Sequence, residues 1–340
     1  MFDELVDRIG GRFARVEPRR RVRALLSGLL AELPRKNCWT LAEHAGDRTP
    51  DGMQHLLARA VWDADAVRDD LRGYVVQQLG QDGAVLVVDE TGDLKKGTGT
   101  VGVQRQYTGT AGRIENSQVA VFLTYSTPAG HAFIDRELYL PQAWTDDAER
   151  CRRAGVPADR RFATKGELAT WMVARALDAG ATVAWVTGDE VYGQSPHLRA
   201  ELEKRQVGYV LAVASSHRVT TGAGVCRADQ VIFSVAQASW QRLSAGQGAK
   251  GHRYYDWAFI EIDPDQAGRH WLLIRRHRRT SELAFFRCYA PAPVPLAILV
   301  SVAGRRWTIE IGHLWCTSSR LRLSSLGSVV GWWVVERFGP

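Results

Sequence analysis

The stretch Ala84-Val85-Leu86-Val87-Val88-Asp89-Glu90-Thr91-Gly92 is an apolar run, rich in β-branched residues, that runs straight into two acids. Such a run reads as a buried strand, and its end places a carboxylate at the mouth of a sheet. A carboxylate there is held rigidly and still faces solvent, which suits a group that must hold a metal ion. One acid ending a strand says little, because strands commonly end in polar turns. The pattern recurs in Thr182-Val183-Ala184-Trp185-Val186-Thr187-Gly188-Asp189-Glu190, and a third acid closes Arg305-Arg306-Trp307-Thr308-Ile309-Glu310. Asp89, Asp189 and Glu310 are therefore the candidate ligands of a divalent metal pair. Side chains alternate along a strand, so Glu90 and Glu190 are expected to point elsewhere.

The 340 residues allow two or three domains with a full-sized core. Forty-four basic residues against 37 acidic ones give +7, which is compatible with a polyanionic partner without demanding one. Cys38, Cys151, Cys226, Cys288 and Cys316 form no C-x-x-C pair, so neither a zinc site nor a disulfide framework is implied. No apolar run approaches the ~20 residues needed to cross a bilayer. Met1-Phe2-Asp3-Glu4-Leu5 lacks the basic and apolar regions of a signal peptide, so a cytoplasmic protein without a membrane partner is expected.

Residues 1–80 read as helical. Val22, Leu25, Leu26, Leu29, Leu30 and Leu33 recur at helical intervals behind a basic Arg19-Arg20-Arg21-Val22-Arg23 start. Trp39 to Ala45 makes a short second helix. Thr49 and Pro50 then supply a cap and first position for a third, running through Met53, Leu56, Leu57 and Val61. This is either a helix-turn-helix-like DNA reader or a helical cap on the core.

Residues 81–214 carry the strand before Asp89, strands around 119–125 and 133–140, a polar loop over 142–163, and a β-α-β-α-β run through Asp189 to Ala214. The order predicts an antiparallel meander followed by parallel strands. Residues 215–295 read as β-rich, and 296–312 as a last helix on which Arg306 and Glu310 share a face. Beside the metal site, Lys95 and Lys96 precede a glycine-rich loop that lacks the P-loop order, and Arg105, Tyr107 and Arg113 follow it. These residues, with Arg306, suit contacts to a sugar-phosphate backbone.

The VVDETG strand, the VTGDEVYG strand and the RRWTIE helix, in this order, resemble bacterial insertion-sequence transposases of the DDE superfamily, most of all the insertion-sequence family numbered seven hundred and one. Gln104 to Gly109, Gly248-Ala249-Lys250-Gly251 and Tyr255-Asp256-Trp257 extend the likeness over nearly all of residues 20–310. The resemblance implies an α/β fold: an RNase H-like core, a mixed sheet flanked by helices, with a helical N-terminal domain and a β-rich insertion before the last helix. It also implies cleavage and strand transfer of DNA at transposon ends, with two Mg²⁺ ions (Mn²⁺ as substitute), a homodimer on DNA and association with the nucleoid. Asp89 would touch both ions, and Asp189 and Glu310 one each.

The chain also departs from that family. The signature helix of its kin carries a tyrosine where Ala303 stands and a lysine where Thr317 stands. From Ile311 onward the sequence contains no Ala, Asp or Lys. A frameshift just after Glu310 would explain residues 313–340 as an atypical tail. Other readings compete. A glycosidase could use two carboxylates but does not predict the basic loops. A haloacid-dehalogenase-like phosphatase would need an Asp where Thr91 stands. A remnant that binds transposon ends without cutting them is the alternative from another class.

Overall fold

A computed structural model describes residues 1–109, 111–248 and 251–317, with side chains described as far as Trp307. The frameshift expectation for the tail concerns residues that mostly lie outside this range, as do Ala249 and Lys250 of the matched turn.

Five helices open the chain: α1 (Phe2–Gly10), α2 (Val16–Leu30), α3 (Cys38–His44), α4 (Asp51–Ala58) and α5 (Ala64–Leu79). Local chemistry starts two of them. The Asn37 side chain accepts from the amides of Trp39 and Thr40, and Asp63 accepts from those of Asp65 and Ala66. Leu5, Ile9, Phe13, Leu25, Met53 and Leu56 fill a core of their own. The third helix is shorter than its apolar spacing predicts. It ends at Ala58, Pro50 rather than Thr49 takes the cap position, and Val61 is 90% exposed instead of packed.

The core follows: β1 (Val85–Leu94), β2 (Gln104–Thr108), β3 (Arg113–Thr127), β4 (Gly130–Leu138), α6 (Gln142–Thr145), α7 (Ala148–Arg153), α8 (Lys165–Asp178), β5 (Trp185–Gly188), α9 (Glu190–Gly193), α10 (Pro196–Lys204) and β6 (Gly208–Val213). The stretch 142–163, expected as a loop, thus contains two short helices. Next come β7 (Arg218–Thr221), β8 (Gly224–Arg227), α11 (Ala228–Val231), β9 (Gln241–Gly248), β10 (Gly251–Glu261), β11 (Arg269–Arg276), β12 (Leu283–Ala290) and α12 (Leu296–Thr317).

One ten-stranded sheet runs β2-β3-β1-β5-β6-β12-β11-β10-β9, with β4 on β3. β3 is antiparallel to both β1 and β4, while β5 is parallel to β1 and β6 to β5. With helices on both faces, this is the mixed sheet of an RNase H-like core.

Two expectations need correction here. The residues read as a β-rich insertion do not form a sheet apart. β12 pairs antiparallel with β6, Phe285 opposite Val213, so the strands from β9 to β12 lengthen the core sheet. Among the described residues, only β7 and β8 form a small sheet of their own. Also, β1 does not end at Asp89. It stays paired with β3 as far as Leu94 opposite Ser117, whereas β5 stops at Gly188.

The strands sort their side chains onto two faces. Leu86 and Val88 meet the helices α8 and α10 through Leu168, Met172 and Leu198. Val85 and Val87 lie on the other face, with Leu296, Leu299 and Val300 of α12. Gly304 lets α12 settle on β9, since a Cβ there would sit 2.2 Å from the carbonyl oxygen of Ala245.

The helical domain is fastened to the sheet by charge. Asp135 of β4, its side chain fully buried, binds Arg175 of α8 at 2.8 Å. Arg68 and Arg72 of α5 approach the same carboxylate at 3.6 and 3.7 Å.

Candidate functional site

Asp89 and Asp189 stand at the ends of neighbouring parallel strands. Val88 is in register with Gly188, so the residue after each is an aspartate. Because β5 stops there and β1 does not, the edge of β1 facing β5 loses its partner at Asp89, and a notch opens between the strands. Asp189 turns the chain into α9, its carboxylate accepting from the Val191 amide at 2.9 Å. Both aspartates are half-buried.

Alternation along β1 places Asp89 on the Val85–Val87 face, where α12 packs, and Glu90 on the opposite face. Glu90 is held there. Lys165, at the start of α8, reaches its Oε1 at 2.5 Å, and the Tyr192 hydroxyl donates to its Oε2 at 3.3 Å. Burial pushes the Tyr192 phenol well above its ordinary pKa, and the charges of Glu90, Asp189 and Asp89 push it the same way.

Carboxylate oxygens at this notch are the hard donors that Mg²⁺ takes. Among the described residues no three acid, His or Cys side chains are grouped closely enough to hold an ion. The two aspartates fit part of such a site. The backbone of Glu310 is on α12, which crosses the face that Asp89 occupies, but its side chain lies outside those described. The helix is tied down at Arg305, whose Nη1 donates to the Thr127 carbonyl at 3.1 Å. That contact is at the Val85 end of the β1–β3 pair, away from Asp89.

The basic candidates divide. Arg105 and Tyr107 on β2 are exposed and pair in register with Asn116 and Ile114, which puts them on the Asp89 face of the sheet. Lys96 is exposed in the following loop, while Lys95 is bound to Asp93 at 2.7 Å. Arg113, close to the hairpin tip, is paired with Glu115 at 2.7 Å. Arg306 is not with this group; it is on α12 next to Trp307, which stacks on Tyr255 of β10.

The glycine-rich loop is shaped by residues that spacing alone does not single out. The Asn116 side-chain amide donates to the carbonyls of Lys95 and Gly97 at 2.6 and 2.9 Å. The Arg150 guanidinium lies 3.7 Å over the Trp144 ring and donates to the Thr98 carbonyl. The presence of both a Trp and several arginines in 142–163 was the available signal. Gly92 permits the hairpin to fold back, because a Cβ there would meet the Thr108 hydroxyl at 2.0 Å.

Comparison with known proteins agrees with this arrangement. A family described as DDE superfamily endonuclease matches residues 10–230, which include both aspartates; Glu310 lies beyond that range. A probable transposase for insertion sequence element IS701 from Microchaete diplosiphon is 30% identical over 194 residues, 56% of this chain and 48% of that protein. The chain thus spans about half the length of the relative it matches. No helix among the described residues is long and apolar enough to cross a membrane. With most of its length matched and two acids at adjacent strand ends, the chain belongs to the DDE superfamily endonucleases, and within them it resembles insertion-sequence transposases.

Proposed function

We propose that the chain cuts DNA at insertion-sequence ends and joins those ends to target DNA, using Asp89, Asp189 and Glu310 with two Mg²⁺ ions. The observation that carries this reading is the register of Val88 with Gly188, which sets two aspartates side by side where one strand stops. Asp89 and Asp189 would hold the ions from the two strand ends, and Glu310 would hold them from α12. Bound ions would supply activation of the attacking oxygen and charge neutralisation at the leaving one. Mn²⁺ substitutes, being a hard cation that accepts the same oxygen donors.

The protein's own residues position the strand. Arg105, Tyr107 and Lys96, with Lys95 and Arg113 exchanging their present carboxylate partners for phosphates, hold the backbone along β2. Two ends must meet for joining, so a homodimer on DNA, within the cytoplasm and its nucleoid, belongs to this proposal.

A second reading, a remnant that binds ends without cutting, is favoured by one observation: Thr317 and the residues after Ile311 depart from the family's pattern. A frameshift after Glu310 would produce that departure. Nicking and strand transfer on the element's own end sequence, with Mg²⁺ or Mn²⁺, separates the readings. Active wild type, with Asp89→Ala slower by about a thousandfold or more, is the result expected for the enzyme. Cleavage only after the alternate frame is restored would make the chain a binding remnant. Silence from both, with salt-sensitive binding kept, would remove the catalytic reading.

A further inference from the structure

Residues 215–295 hold eleven basic against six acidic residues, most of the net positive charge of the chain. Several of the arginines have clear partners. Arg269 binds Glu261, Arg287 binds Asp263, and Arg276 binds Asp256 while lying over Trp240. Arg275 is different. Its guanidinium lies 4.8 Å from the ring centres of both Tyr255 and Trp307, and no described carboxylate or carbonyl accepts from it. Its Nε is enclosed without an acceptor, and the side chain as a whole is half-buried.

A second guanidinium shares the platform: Arg253 lies 4.8 Å from the centre of the same Trp307 ring and donates to the Ala245 carbonyl. Burial lowers the Arg275 pKa, Tyr255 and the charge of Glu282 oppose it, and the charges of Arg306 and Arg253 lower it further. Tyr255 and Trp307 are themselves stacked, 6.0 Å apart at 17°. Like charges gathered on an aromatic platform repel one another unless an anion comes between them, and a guanidinium fork matches phosphate geometry.

The orientation is informative. Arg275 pairs in register with Trp257, which is buried with Val85, Val87 and α12 on the Asp89 face. Arg276, its neighbour, points to the other face. The platform therefore lies on the same side of the sheet as the acid notch, with α12 between them.

We propose that Arg275, with Arg253 beside it on the Tyr255–Trp307 platform, is a seat for a phosphodiester group of bound DNA. This rests on the DNA-binding part of the function proposed above and not on cleavage. The ring platform holds the fork facing outward, and the phosphate replaces like-charge repulsion with charge-assisted hydrogen bonds.

The test is a salt titration without divalent metal, using the full chain and a fluorescein-labelled duplex of the element's own end. A phosphate contact contributes about 0.9 to the slope of log K against log salt. Arg275→Gln should lower that slope by about this much and weaken binding several-fold at 0.15 M salt. Arg275→Lys should keep the slope, because the charge remains. Arg276→Gln, on the opposite face, should change neither quantity. An unchanged slope in Arg275→Gln, with only its melting temperature altered, would show that the stack is structural and overturn the proposal. Absence of salt-dependent binding by the wild type would overturn the DNA reading itself, and the seat with it. Intact binding without cleavage would sink only the catalytic reading.

Discussion

Asp135 illustrates how one side chain ties two layers of the protein together. Its carboxylate is fully buried, bound by Arg175 and approached by Arg68 and Arg72 from the helical domain. Burying charge is costly unless it is paired, and removing one partner leaves the rest uncompensated. Asp135→Ala should therefore destabilise the fold by about 3–5 kcal/mol, as read from a urea denaturation midpoint. A loss below ~1 kcal/mol would mean that water already shields the arginines. This hub was not legible in the sequence, because its members come from α5, β4 and α8 and share no spacing. The contrast between Asp89 and Glu90 was legible. Strand alternation alone separates them, and the Lys165 and Tyr192 contacts bear out that Glu90 points elsewhere.

At the scale of elements, α12 carries Trp307 and Glu310, and its seat is defined by one residue without a side chain. A Cβ on Gly304 would meet backbone of β9, which cannot swing aside as a flexible side chain can. Gly304→Val should cost about 1–3 kcal/mol through overpacking. If Glu310 acts with Asp89, displacing α12 in this variant should slow nicking. Nicking at the wild-type rate despite the loss of stability would place the helix outside the active site. The helix itself could be read from its sequence; its neighbours could not. Local apolar runs announce β10 to β12 as strands, but which sheet edge they join is decided by distant backbone hydrogen bonds. The tail of β1 hid for a related reason. Asp89-Glu90-Thr91-Gly92-Asp93 has the composition of a turn, and pairing with β3 overrides that preference.

For the molecule as a whole, acid should be felt early. Burial lowers the pKa of His131, as does the charge of Arg305; burial, Arg287 and Arg199 lower that of His217, with Asp263 opposing. His131 is the second residue of β4, and His217 lies just beyond β6, so the two report on separate parts of the sheet. A histidine whose folded pKa is depressed favours the folded state fully above its ordinary value of about 6.5. That contribution is lost as pH falls from there toward the folded value, because the unfolded chain then binds the extra proton. Carboxylates such as Asp65, kept low by Arg136 and Arg68 against the effect of burial, lose their contribution only at more acidic pH, nearer 4. Stability should thus be level from pH 8 to 7, decline below about 6.5, and fall again near pH 4. Urea midpoints measured across this range should show two steps, and the double variant His131→Gln with His217→Gln should remove the first. A first step that survives in the double variant would assign it to groups other than these two histidines.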